Sequence, residues 1–183
     1  MLDLIIKNGQ CYIDGELKDV DVSVKDGKIQ NIGKFTEDAK DILDAKGRTV
    51  LPGCIDTQTH FREPGSTDTE DLHSGSRAAI VGGITAVFEM PNTNPPTSNK
   101  KEFQRKLDLA KNRMYCNYAF YFGATADNAN DLADLKNLEG CCGIKLFAGS
   151  STGNLLVADE KDIETVFQNS SKVVAVHSED EAI

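Results

Sequence analysis

Tryptophan is absent from the 183 residues, aromatic residues make up only 7%, and there are three histidines, so each histidine has to be weighed individually for metal or proton chemistry. No apolar run approaches the roughly 20 residues that cross a bilayer, and the amino-terminal M-L-D-L-I-I-K-N-G is too short an apolar stretch for a signal peptide. C-x-x-C pairs are missing. The five cysteines, Cys11, Cys54, Cys116, Cys141 and Cys142, are odd in number and lie mostly inside apolar runs, which predicts buried free thiols in a reducing compartment. Positive charge is in short supply. Twenty basic side chains face 29 acidic ones, a net charge of −9 that repels nucleic acid and anionic membrane, so neither is expected as a partner. Repeats and low-complexity segments are also lacking. The expected setting is the cytoplasm. What remains is 39% hydrophobic and 27% charged, the profile of an ordinary globular chain.

Residues 1–50 read as short strands broken by turns. Asp14-Gly15 and Asp26-Gly27 are hairpin signals between apolar-alternating runs, which predicts a small antiparallel β module. From residue 51 the rhythm changes to strand then helix. Strands are predicted at 51–61, 85–90, 115–122, 143–147 and 173–177, with helices at 71–81, 98–112, 128–138 and 159–168. Asp71 and Asp159 serve as N-caps, and Gly82-Gly83 and Gly140 as stops. Strands alternating with helices imply parallel βαβ units, and near-continuous apolar strands such as V-V-A-V suit a sheet buried on both faces. No glycine fingerprint of a dinucleotide fold follows the first strand, and polar residues gather at strand ends instead. The prediction for residues 51–183 is therefore α/β: a partial TIM (β/α)8 barrel with about five strands. A whole barrel takes about 250 residues, and about 130 follow residue 52.

Residues 55–65 read I-D-T-Q-T-H-F-R-E-P-G. Alternation along a strand would put Asp56, Gln58, His60 and Arg62 on one face, which then either meets water or lines a polar site; the flanking residues have the composition of a buried strand, which favours the site. Lys145 is the only charge in C-C-G-I-K-L-F-A-G. A lysine so placed either snorkels from a strand end or sheds its proton, and a neutral amine can add carbon dioxide to form a carbamate. His177 ends V-V-A-V-H, where a barrel presents its ligands, and where a polar residue also simply closes a strand. His73 falls in a helical pattern and reads as a surface residue. Asn92, in F-E-M-P-N-T-N-P-P, follows the second barrel strand. With Arg62 it could bind a carboxylate, unless Arg62 pairs with Glu63 or Glu89 and Asn92 merely makes a turn.

Together, T-H-F-R-E-P-G, M-P-N-T-N-P and G-I-K-L-F-A-G-S-S-T-G resemble segments of the amidohydrolase superfamily, most closely the dihydroorotases. That resemblance covers the whole chain. It implies a zinc site of one or two ions held by His60, His177 and a carboxylated, bridging Lys145, with Arg62 and Asn92 reading the carboxylate of a small-molecule substrate. Gln58 stands where the family pattern carries the first histidine of a pair, and an amide is a poorer zinc ligand than imidazole. A general-base Asp and a further histidine ligand of the family are expected beyond Ile183, so no residue of this chain is assigned as the catalytic base, and the chain alone is expected to be catalytically silent. The implied reaction interconverts L-dihydroorotate and N-carbamoyl-L-aspartate in de novo pyrimidine synthesis, with a homodimer or aspartate transcarbamoylase as expected partner of the full-length protein. Two rival readings remain. A non-catalytic dihydroorotase-like subunit supporting aspartate transcarbamoylase would have lost several ligands, and an allantoinase or hydantoinase would lack Arg62.

Overall fold

The computed structural model describes residues 1–151 and 153–179. It divides into two compact units, Met1–Pro52 and Gly53–Ile183. The first unit holds β1 (Leu2–Lys7), β2 (Gln10–Ile13), β3 (Glu16–Asp19), β4 (Asp21–Lys25), β5 (Lys28–Gly33), β6 (Ala39–Asp44) and β7 (Thr49–Val50). They form a four-stranded sheet, β5-β4-β1-β6, and a three-stranded sheet, β3-β2-β7. Asp14 and Gly15, and likewise Asp26 and Gly27, all have positive φ, as a tight two-residue hairpin requires. The module is not purely antiparallel as expected. β6 joins β1, and β7 joins β2, in parallel, because each returns by a longer connection instead of a hairpin. Ile5, Val22 and Cys11 are buried in this unit.

The second unit is a curled five-stranded parallel sheet, ordered β12-β11-β10-β9-β8. Its strands are β8 (Cys54–Thr59), β9 (Ile84–Glu89), β10 (Asn117–Gly123), β11 (Cys141–Phe147) and β12 (Val174–His177), and its helices are α1 (Leu72–Val81), α2 (Lys100–Ala110) and α3 (Glu160–Asn169). Asp71 caps α1 by accepting from Ser74 N–H, Asn99 caps α2 by accepting from Glu102 N–H, and Asp159 caps α3 by accepting from Lys161 N–H. Phe103 of α2 is fully buried and packs its ring against Phe120 and Phe122 of β10. Burying a side chain of that size contributes about 1.5–3 kcal/mol. Leu72, Val87, Ile144, Leu146 and Val166 complete the helix-side core.

Two predicted elements change form. The helix expected over 128–138 is a 3₁₀ helix, Ala129–Leu135. Its buried residues are Ala129, Leu132 and Leu135, spaced by three, which is the period of a 3₁₀ helix. The strand expected to be buried over 51–61 is shorter and lies at the sheet edge. β8 pairs only with β9, and residues 54–58 are exposed. Its register shifts twice, so that Asp56 to Thr59 lie opposite Val87 to Glu89. That bulge interrupts the strict alternation predicted for Asp56, Gln58, His60 and Arg62. His60 and Arg62 lie past the strand, in the loop that follows it. The cysteines are all free, but Cys54 is exposed and Cys142 only half-buried, against the expectation of burial.

Candidate active site

All five strands of the second unit run parallel, so their carboxyl ends open on one edge, and the candidate residues gather there. His60 is the first residue beyond β8. Its Nδ1 lies 2.9 Å from Asn92 Oδ1, in the loop that leaves β9. An amide oxygen only accepts, so Nδ1 carries the proton and Nε2 keeps its lone pair. The two loops are stitched together by Met90 N–H to Thr59 C=O at 2.9 Å and Asn94 N–H to Pro64 C=O at 3.0 Å. Gly65 is needed at this crossing. Its φ is +123°, and a Cβ there would come within 2.9 Å of the Asn94 side chain. The two sequence motifs thus touch.

Arg62, Pro64, Ser66, Asn92, Thr93 and Asn94 line a cavity of about 460 Å³. The local partners considered for Arg62 are engaged elsewhere. Glu63 takes both arms of Arg113, at 2.7 and 3.0 Å, and also accepts from Leu72 N–H. Glu89 takes Lys106. Among the described residues, Arg62 has no ion-pair partner. Asn92 is more than a turn residue, since its amide contacts His60 and lines the same cavity.

Lys145 of β11 is 3% exposed. Burial pulls its ammonium below the usual lysine range, and Nζ sits 5.0 Å from the Phe147 ring centre. No carboxylate pairs with it among the described residues. His177 closes β12 opposite Phe147, two residues along from Lys145 in the β11 register, so Lys145, Phe147 and His177 share a face of the sheet. The buried Nε2 of His177 makes no hydrogen bond. The Glu179 carboxylate lies 3.4 Å away but out of line. Burial first, and then the charges of Arg62, Lys145 and Lys106, pull the His60 imidazole below its usual range, against the opposing effect of its bond to Asn92. His60 therefore lies within electrostatic reach of Lys145. Gln58 is exposed in the bulge, where its backbone N–H donates to Asp56, and it is not drawn into this group. His73 is an exposed α1 residue beside Tyr115, away from the site.

No cluster of three His, Cys, Asp or Glu exists among the described residues. Nitrogen donors stand at the ends of these strands instead: His60 Nε2 keeps its lone pair, His177 Nε2 has no hydrogen-bond partner, and burial pulls the Lys145 ammonium below the usual lysine range. This combination suits a zinc-like ion.

One pair was missed in the sequence. Glu89 and Lys106 are both fully buried and in contact between β9 and α2, with the Glu89 carboxyl pushed up to about 7 by burial and Lys106 pulled down. The signal was available. Phe103, Lys106 and Ala110 are the buried positions of α2, spaced i, i+3 and i+7, so the lysine occupies an apolar-face position.

Residues 49–176 match the amidohydrolase family. The chain is 37% identical to a dihydroorotase of Methanosarcina mazei over 99% of its own length and 40% of that protein's. It is 40% identical to an allantoinase of Escherichia coli over 88% of its length and 36% of that protein's. An L-hydantoinase (dihydropyrimidinase) from Arthrobacter aurescens superposes with a TM-score of 0.91 at 29% identity, covering 100% of this chain and 42% of that one. The chain thus spans about 40% of the length of the dihydroorotase it matches. None of its helices, among the described residues, is long and apolar enough to cross a membrane. With the matched segment running from the end of the β module to the last strand, the chain belongs to the amidohydrolase family.

Proposed function

We propose that this chain carries the first part of a dihydroorotase-type site, which interconverts L-dihydroorotate and N-carbamoyl-L-aspartate by opening or closing a cyclic amide. The observation that carries the reading is Arg62. Its guanidinium has no ion-pair partner among the described residues and shares a cavity with Asn92. A planar fork beside an amide suits a carboxylate, which dihydroorotate has and a neutral ring lacks.

His60, Lys145 and His177 would hold one or two zinc ions, with Lys145 able to bridge as a carbamate. A bound ion would polarise the amide carbonyl and supply hydroxide from water at neutral pH. Arg62 and Asn92 orient the ring by its carboxylate, and Asn92 keeps the His60 Nδ1 proton in place. No described residue takes the role of general base, so activity belongs to a polypeptide of the relatives' length. Its expected partners are the small carboxylate substrate and, at the level of assembly, a second copy or aspartate transcarbamoylase.

Neutral-ring hydrolysis is the second reading, favoured by the 40% identity to an allantoinase. The test is a substrate panel on a polypeptide of that length carrying this chain. Dihydroorotate should be preferred over allantoin and hydantoin by at least about 100-fold in kcat/KM. Faster turnover of allantoin would overturn the carboxylate assignment in favour of the second reading.

A further inference from the structure

Glu89 and Lys106 are an expensive pair to bury. Apolar side chains of similar volume would fill the space between β9 and α2 without the desolvation of two charges. What the lysine does that an apolar residue cannot is donate. Its Nζ reaches Met90 C=O at 3.0 Å, while Met90 N–H donates to Thr59 C=O at 2.9 Å. Residue 90 is therefore gripped from both sides, by α2 and by the end of β8. The next carbonyl, of Pro91, is held within its own loop by the N–H groups of Thr93 and Thr97, both at 2.9 Å, and by the Thr93 hydroxyl at 3.5 Å, whereas the Met90 carbonyl is held by a side chain of helix α2. Asn92 follows two residues on, and its Oδ1 meets Nδ1 of His60, the residue directly after Thr59. The three hydrogen bonds form one chain, from Lys106 to Met90, to Thr59, and through Asn92 back to His60.

We propose that Lys106 is a positioning residue: by clamping the Met90 carbonyl from helix α2, it holds Asn92 Oδ1 on His60 Nδ1 and so keeps the lone pair of His60 on Nε2. Glu89 aims and retains the ammonium, while the bond to Met90 does the positioning. The kinetic consequence rests on the function proposed above. The ring tautomer does not.

The test is long-range proton–nitrogen correlation on the 183-residue chain labelled in its histidines, at a pH where the ring is neutral, with His60→Gln to assign the signal. The wild type should show the Nδ1–H form, and Glu89→Gln, which keeps the donor, should show it too. In Lys106→Met, and in Glu89→Leu/Lys106→Met, which removes both charges and spares the core an unpaired carboxyl, the Nε2–H form should rise at least tenfold. A folded double variant that retains the wild-type tautomer overturns the proposal. So does failure of both Lys106 variants to fold while Glu89→Gln folds, since Lys106 would then be a residue of the core alone. In the longer polypeptide, Lys106→Met should lower kcat/KM, and adding it to Asn92→Ala should cost less than a further twofold. Effects that multiply would mean that Lys106 does not act through Asn92. Loss of the dihydroorotase reading would leave the tautomer result standing.

Discussion

Asn92 is a two-sided group. Its Oδ1 is committed to His60 at 2.9 Å, and the residue also lines the cavity it shares with Arg62. In a polypeptide of the relatives' length, Arg62→Met should lower kcat/KM for dihydroorotate by about 2–3 kcal/mol, roughly 30- to 150-fold, the scale of a lost charged hydrogen-bonded pair. Turnover of a neutral ring should change little. An equal loss on both substrates would point to a general disturbance of the loop. Gln58 gives a second measurement. It is exposed within the bulge of β8, so histidine fits there without repacking. Gln58→His should raise zinc affinity and stoichiometry by equilibrium dialysis against metal, and equal binding in both proteins would mean that position 58 is no ligand. His60, Arg62, Asn92, Lys145 and His177 stood out as candidates because each is polar in an apolar or turn-rich setting, and the family resemblance supplied their expected roles. Lys106 was not, because its helix reads as a charged surface element, K-K-E-F-Q-R-K-L-D-L-A, until its buried face is picked out. The bond from His60 to Asn92 could not be read either, since it depends on how two loops 32 residues apart cross.

At the scale of elements, what could be read followed the strength of local signals. The caps at Asp71 and Asp159 and the two Asp-Gly turns stand where side-chain chemistry puts them. The segment after β10 differs because Asn128 is spent elsewhere. Its Oδ1 accepts from Thr125 N–H at 2.9 Å, and its Nδ2 donates to Ser98 and Gly123 carbonyls, both at 2.9 Å, so it makes no helix cap. Ser98 lies 30 residues away in the sequence, and no local pattern announces that contact. Asn128→Ala should therefore cost about 1–3 kcal/mol in urea unfolding, because it strands one N–H and two carbonyls. Asn99→Ala removes the α2 cap alone and should cost about 1 kcal/mol. If the two cost the same, the three-way bracing by Asn128 contributes nothing beyond an ordinary cap.

Over the whole molecule, the strand and helix order of the second unit was readable, since five apolar strands separated by helical patterns leave few arrangements besides a parallel sheet. The exposure of its rim was not. Periodicity marks which residues are apolar, not whether a neighbour covers them, and the apolar lead into β8 looked like that of an interior strand. In the structure β8 and β12 are the outer strands, each paired on one side only. Ile55 is 56% exposed, Val173 76% and Phe167 51%. Unpaired backbone groups beside exposed apolar side chains invite association between sheets. The 183-residue chain should accordingly self-associate with rising concentration in sedimentation velocity, and Ile55→Lys combined with Val173→Lys should shift it toward monomer, because a charge on each rim opposes strand pairing. Neither substitution removes a hydrogen bond or a buried contact, so their far-UV spectrum should match that of the parent. A parent chain that stays monomeric at every concentration would mean that these edges are protected by their own twist, and that the exposed apolar rim carries no drive to pair.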